Sequence, residues 1–257
     1  SNVEFDIVIK DNFILDGSRT LELMLSSTDN GATLGVDSVF TLTITDNELP
    51  LTTIGSIRAN TADGRPTKEG EIVFVKGIVY GVDMRGGTGI QFTVIDNTGG
   101  LGVFSAAKEF GYTVKEGDEV SIQGKVEFFN GLTQLGTLDT IVYHGGGKTL
   151  KSPVIVKSVT ESGESDLVKL EKVWFVSDTV TVWPSNGNVL ITNGTDTIDV
   201  RIDRDVLDVA GAAAPAYDTM NITGLGGQFD ATSPYTAGYQ LLPRYLADVE
   251  KYMGSTG

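Results

Sequence analysis

The 257 residues include no cysteine, one histidine, seven prolines and two tryptophans. Without cysteine there is no disulfide framework, no thiolate nucleophile and no Cys-based zinc or iron–sulfur site. His144 alone excludes a two-histidine metal centre within the chain and leaves a histidine-based triad one candidate. No apolar run approaches the ~18–20 residues of a bilayer-crossing helix, so no membrane span is expected. Positive charge is also short, with 19 Lys and Arg against 34 Asp and Glu and a net charge of −15. The deficit is uneven: −7 over residues 1–50, −2 over 51–150 and −6 over 151–257. Nucleic-acid binders usually carry a basic field, and only the middle segment comes near balance. An acidic surface fits a secreted or surface-exposed protein, a calcium-linked module or plain solubility. The 32 glycines keep no three-residue period, which excludes collagen. A mean hydropathy of +0.02 argues against disorder. No signal-peptide pattern opens the chain, and that says little about its native location.

What is present is strand pattern almost throughout. The length suits two or three modules of about 50–150 residues. Segments 3–9, 21–25 and 39–45 alternate apolar and polar residues and are separated by Asp-, Asn- and Gly-bearing turns, as in part of an antiparallel sandwich. Glu48-Leu49-Pro50 marks a boundary. Beyond it, TIGSIRANTADGRPTKEGE (residues 53–71) suggests one short helical turn followed by a loop, and strands are expected at 71–82, 90–96, 101–106, 116–131 and 132–144. Gly77 sits where a small barrel must bend, and Asn130-Gly131 is a strong hairpin turn. The stretch AAKEFGY, from Ala106 to Tyr112, reads as helix between the third and fourth strands, which is the order of an OB-fold barrel. After Gly145-Gly146-Gly147 the same order returns at 166–178, 187–194, 197–203, 219–230 and 239–252, and we read a tandem duplication. The expected fold class is all-β, with a partial β-sandwich over 1–50 and five-stranded OB-like barrels over 51–148 and 149–257.

Two resemblances attach to these segments. IVIKDNFILDGSRTLELMLSS, GATLG and TLTITDNE make residues 3–48 resemble the C-terminal half of a Calx-beta domain, whose front half is absent here. VKGIVYGV, FTVIDNTGGLGVF and EGDEVSIQGKVEFFNGLTQL resemble the OB-like modules of secreted bacterial surface proteins, including those beside extracellular nuclease and phosphatase domains. SDLVKLEKVWF and ITGLGGQFDATSPYTAGYQLLPRYLADVE look like a second such module. These likenesses imply a piece of a larger exported or cell-surface bacterial protein.

The Calx-beta likeness implies calcium at Asp11, Asp16, Asp46 and Glu48, because acidic turns at these places can converge on the ion. Calcium takes ~6–8 oxygens, the missing half would supply more of them, and Asn47 stands where some relatives have an acid. Solvated turn residues are the plainer reading. In an OB barrel the ligand face is strands two and three, framed by loops 1–2 and 4–5. That nominates Lys76, Tyr80, Arg85, Gln91, Phe104, Lys125, Phe128 and Phe129. Alternation turns Val75, Gly77, Val79, Val120, Ile122 and Val126 inward, and Lys76, Tyr80 and Lys125 outward. Aromatic rings beside Lys or Arg can stack bases and meet phosphates, stack sugars, or pack under a neighbouring module. Trp174, Trp183, Tyr235, Tyr239 and Arg244 form a comparable set in the second barrel, where core capping explains them equally.

No catalytic constellation stands out. The chain has no G-x-S-x-G elbow and no G-x-x-x-x-G-K-[ST] phosphate loop. His144 lies at a strand end before three glycines. The 34 acids leave a carboxylate pair for glycoside hydrolysis open without singling one out. The expectation is therefore a non-enzyme, an accessory binding or spacer region that places neighbouring domains of its parent. Single-stranded nucleic-acid binding in support of a nuclease, or carbohydrate binding, are the alternatives. The partial sandwich exposes an edge, so pairing with a second copy is expected.

Overall fold

The computed structural model describes residues 4–10, 12, 14–26, 33–107, 110–216 and 219–254. The chain separates into two compact units, Ser1–Pro50 and Leu51–Gly257. In the first, β1 (Arg19–Met24) pairs antiparallel with β2 (Val39–Ile44), from Arg19 opposite Ile44 to Met24 opposite Val39. The alternating segment 4–9 joins no ladder, a correction to the expected third strand. Alternation fixes which face a side chain takes, but a strand also needs a neighbour's N–H and C=O groups.

The second unit opens with the one-turn helix α1 (Ile54–Ile57), whose first N–H is held by the Asp96 carboxylate at 2.9 Å. There follow β3 (Ile72–Tyr80), β4 (Ile90–Ile95), β5 (Gly100–Ser105), β6 (Glu119–Phe129) and β7 (Leu132–Gly145), closed in the order β3-β4-β5-β7-β6. β5 and β7 run parallel and the other pairs antiparallel. Val75, Val79, Phe92, Val94, Val120, Ile122, Val126 and Leu135 fill the interior. A side chain at Gly77 would come within 3.0 Å of the Ile95 carbonyl, so this strand needs glycine where it passes from β6 to β4. Asn130 and Gly131 both take positive φ, 49° and 94°, as a two-residue hairpin of the primed type demands.

A second set follows: β8 (Val154–Val156), β9 (Leu167–Phe175), β10 (Gly187–Thr192), β11 (Thr197–Ile202), β12 (Met220–Gln228), β13 (Tyr239–Leu242) and β14 (Val249–Lys251). Its sheet order places β9, β10, β11, β13 and β12 side by side, and an additional β12–β9 pairing closes them into a ring. β11 and β13 are parallel, the counterpart of β5 and β7, so the two rings agree strand for strand. β8 and β14 lie outside this ring. The chain is thus all-β, with OB-like barrels in tandem.

The expected helix between strands three and four is not found among its described residues. Phe110 and Gly111 take φ of 55° and 66°, which breaks a right-handed helix. In the second barrel the matching segment is a run of turns around Val206–Gly211.

The barrels are fused rather than strung. Tyr80 and Ile95 of the first barrel and Leu167 and Leu225 of the second form a separate apolar cluster, flanked by Ile78 and Leu150. Beside it, a Cβ on Gly100 would sit 1.9 Å from the Ser165 carbonyl oxygen, so the two backbones meet with no room for a side chain.

Candidate functional site

Where the fused barrels part, they leave a cleft of about 280 Å³. The first barrel lines it with Gln91 from β4, Phe104 from β5, Phe129 at the end of β6 and Gln134 from β7. The second contributes Arg201 from β11, Gln228 from β12, the following Phe229 and Gln240 from β13. Gln91, Phe104, Gln134, Arg201 and Gln240 arrive by strand alternation: each adjoins a residue that fills a barrel core and so points outward, and here the two outward faces oppose each other. Phe129 and Phe229 meet edge to face with ring centres 6.2 Å apart. The Asp230 N–H donates to the Asn130 carbonyl at 2.6 Å, so the loops joining strands four and five of the two barrels are tied together. A smaller pocket sharing Gln91, Gln134 and Met84 extends toward Ser165 and Gly226.

The nominated ligand residues divide between this cleft and other places. Gln91, Phe104 and Phe129 line it. Arg85 is exposed in the β3–β4 loop, where its N–H is fixed by Asp83 at 2.9 Å. Lys125 is exposed on β6. Lys76 is ion-paired with Glu119 at 3.2 Å. Phe128 is half-buried, 4.7 Å edge-on from Tyr235 and under the Arg65 guanidinium, also at 4.7 Å. Tyr80 faces out of its own barrel as alternation requires, yet it is 1% exposed because the second barrel covers it. Its hydroxyl accepts the Lys151 N–H at 2.7 Å, and burial raises its pKa. It is a seam residue, closed to ligand.

In the second barrel, Trp183 is buried in the core, edge-on to Phe175 at 5.3 Å, and Trp174 is half-buried beside Gly194. The Tyr239 hydroxyl donates to Glu161 at 3.1 Å; burial and that carboxylate push its pKa to about 12. Arg244 binds Asp248 at 2.8 Å and Glu116 of the first barrel at 2.7 Å. Burial opposes its charge, but the two acids outweigh burial and hold its pKa above the usual value. Arg244 therefore locks the barrels and leaves its guanidinium committed. His144 contacts Ser121 at 2.8 Å, and burial with the nearby Lys76 lowers its pKa.

Deeper in the seam, Glu164 is 1% exposed, accepts the Thr133 N–H at 3.3 Å and lies 3.9 Å from Arg58. Burial outweighs the pull of Arg58 and raises its pKa to about 8. Arg58 divides its remaining donors between the Glu161 carbonyl and Asp166.

In the first unit, Asp16, Asp46 and Glu48 line one hollow together with Lys10 and Arg19, while Asp11 lies outside the described residues. Asp16 is ion-paired with Arg19 and receives the Asn12 amide at 3.1 Å. A hydrogen bond with Glu48, then the Gly17 N–H, lowers the pKa of Asp46. Among the described residues no three His, Cys, Asp or Glu side chains group to hold a metal.

Sequence reasoning missed Arg201, Gln228, Phe229 and Gln240. The duplication was the available signal: the face nominated on the first barrel has an equivalent on the second, and the two are opposed.

No family model matches the chain, the Calx-beta likeness included. The chain is similar to Endonuclease YhcR of Bacillus subtilis (strain 168), 27% identical over 235 residues that cover 85% of this chain and 18% of that protein. It thus spans less than a fifth of that relative's length. This match overturns the expectation of a non-enzyme, since the relative is named for an enzymatic activity. The missing elbow, phosphate loop and histidine pair exclude those machineries only, and carboxylate chemistry has no comparable spacing signature. Among the described residues no helix is long and apolar enough to cross a membrane.

Proposed function

We propose that the fused barrels bind single-stranded nucleic acid for an endonuclease, with the strand crossing the cleft between them. The observation that carries this is the cleft's position. It lies on strands two, three and five of the first barrel, beside its 4–5 loop, where OB barrels hold oligonucleotides. The similarity to an endonuclease over 85% of the chain supports the choice of nucleic acid over sugar. Exposed Arg85 and Lys125 are the nominated cations left to meet phosphates outside the cleft. The reading extends to an exported bacterial parent, supported by the acidic balance of −15 and the bacterial relative.

Fluorescence anisotropy of labelled single-stranded DNA and RNA, titrated with the 257-residue chain, tests it. Saturable binding is expected, with a shallow salt slope because few cations take part. No binding of either strand at low salt would overturn the proposal.

A further inference from the structure

We infer that Arg85 and Arg204, one from each barrel, form a phosphate grip at one end of the interbarrel cleft and together hold a single phosphodiester of the bound strand. The inference rests on the nucleic-acid reading and deepens it, because it gives the cleft a cationic end and an aromatic end.

The ladders set that order on both walls. On the first barrel, the Met84 N–H donates to the Gln91 carbonyl, and Gln91 on β4 stands opposite Phe104 on β5. β5 then pairs with β7 at Gly102 and Gln134, and Leu132 of β7 stands opposite Phe129 of β6. On the second barrel, Arg201 lies on β11 and Asp203 just past its end, and β11 pairs with β13 at Gln240. Gln240 in turn stands opposite Gly227 of β12, two residues before Phe229. The cleft therefore runs from Met84 and Asp203 at one end to Phe129 and Phe229 at the other. On the first barrel this crosses the strand spacings β4–β5, β5–β7 and β7–β6, each ~4.8 Å.

The two arginines stand at the first of these ends, since Arg85 follows Met84 and Arg204 follows Asp203. Of the seven arginines, Arg19, Arg58, Arg65, Arg201 and Arg244 are ion-paired. Arg85 and Arg204 are both exposed, and among the described residues neither guanidinium has a partner. Their loops meet: a Cβ on Gly86 would lie 2.8 Å from the Asp205 carboxylate. Each arginine is one residue before that contact. With 3.8 Å between successive Cα atoms, their Cα atoms are at most about 16 Å apart. Two extended arginine side chains with a phosphate between them span such a gap, and the guanidinium fork suits phosphate oxygens.

The neighbouring acids shape the loops. Asp83 accepts the Arg85 and Gln91 N–H groups, both at 2.9 Å, and Asp203 accepts the Asp205 N–H at 3.0 Å. Asp203 also lies 3.8 Å from Arg201. Asp83, Asp203 and Asp205 balance Arg85, Arg201 and Arg204, so this end is neutral overall. The grip acts by contact, with little long-range field to attract a strand.

Anisotropy titrations of labelled oligo(dT) from about 50 to about 200 mM salt test it. They compare the 257-residue chain, Arg85→Gln, Arg204→Gln, the double variant and a Lys157→Gln/Lys251→Gln control. The control removes the same charge from exposed positions that do not line the cleft. Circular dichroism establishes that all are folded. The double variant should bind about tenfold more weakly at low salt, as loss of a charge-assisted contact predicts. Its slope of log K against log salt should flatten by about 0.7, one phosphate of a single strand. Each single variant should lose most of what the double loses, because the two side chains serve one phosphate. The control should keep both affinity and slope. A double variant that behaves like the control would overturn the grip and leave nucleic-acid binding standing. Single losses that simply add would overturn the shared phosphate. Failure of the unaltered chain to bind at low salt would overturn both readings.

Discussion

Phe128 stands between two partners, the Tyr235 ring 4.7 Å away edge-on and the Arg65 guanidinium 4.7 Å from its centre. Tyr235 belongs to the 4–5 loop of the second barrel, so this ring joins barrels as well as closing a strand. Edge-to-face pairs are worth about 0.5–1.5 kcal/mol beyond area burial, and cation–π contacts at exposed sites about 0.5–1 kcal/mol. Phe128→Ala is expected to cost about 1–3 kcal/mol, less than the ~3–5 kcal/mol of a fully buried phenylalanine. Urea denaturation measures it, and a lower midpoint with an unchanged slope is the expected result.

Phe104 should behave in the opposite way. It is half-buried, lines the cleft and belongs to neither barrel's buried core cluster. Phe104→Ala should weaken oligonucleotide binding by about 1–3 kcal/mol, the value of one stacked base, while moving the melting temperature little. Anisotropy and thermal melting of the same sample separate the two effects. A variant that melts much lower but binds normally would make Phe104 a packing residue.

At Gly100 the backbones of the two barrels approach closely, with Ser165 O 1.9 Å from the place a Cβ would take. Gly100→Ala must push β5 and the segment before β9 apart, and overpacking of this kind costs typically about 1–3 kcal/mol. The loss should appear at the seam: faster amide exchange at the Ser165 N–H, which donates to the Gly226 carbonyl at 2.8 Å, than at β3–β6 amides of the first barrel. Uniform acceleration across both would count against a local effect.

The strands were legible because each signal was local. Val75 and Val79 turn inward as alternation requires, and Gly77 and Asn130-Gly131 mark a bend and a hairpin by their own backbone needs. The seam was not legible, because its partners lie far apart in the chain. Arg58 meets Asp166 across 108 positions and Arg244 meets Glu116 across 128, and no period in the sequence connects them. Tyr80 shows the limit most directly. Its outward placement followed from its own strand, but the surface that buries it belongs to Leu167 and Leu225 of another barrel. Half of the cleft was unseen for the same reason: Gln91, Phe104 and Phe129 carry a barrel's usual ligand face, whereas Gln228 acquires its meaning from the loop that takes both its protons.

Glu164 gives the seam a pH dependence. Its pKa is about 8 in the folded chain against an ordinary 4.5, so folding favours the protonated form. Below 4.5 both states are protonated and the full stability is present. Between 4.5 and 8 the unfolded chain releases a proton that the folded chain keeps, and stability falls as pH rises. The slope from this group approaches about 1.4 kcal/mol per pH unit. Glu164→Gln keeps an acceptor for the Thr133 N–H and removes the titration. Urea melts across this window should show a smaller decline for the variant, which becomes the more stable protein at the alkaline end. Parallel curves would show that Glu164 does not titrate there.

Arg244 tests how the two barrels are locked. Its guanidinium bridges Asp248 of its own barrel and Glu116 of the other, and Glu116 also receives the Gly81 N–H at 2.7 Å. Arg244→Ala leaves two largely covered carboxylates facing a space that held a cation, and breaking a buried pair in this way costs about 3–5 kcal/mol. Much of that loss belongs to the stranded acids and not to the missing attraction. Adding Glu116→Gln and Asp248→Asn to an Arg244→Met background should therefore recover a substantial part of it, since replacing a whole buried ionic set by neutral groups is often close to neutral. Chemical denaturation of the single and triple variants decides the matter. A triple variant no more stable than Arg244→Ala would mean that the guanidinium holds the seam through its geometry, with charge compensation secondary.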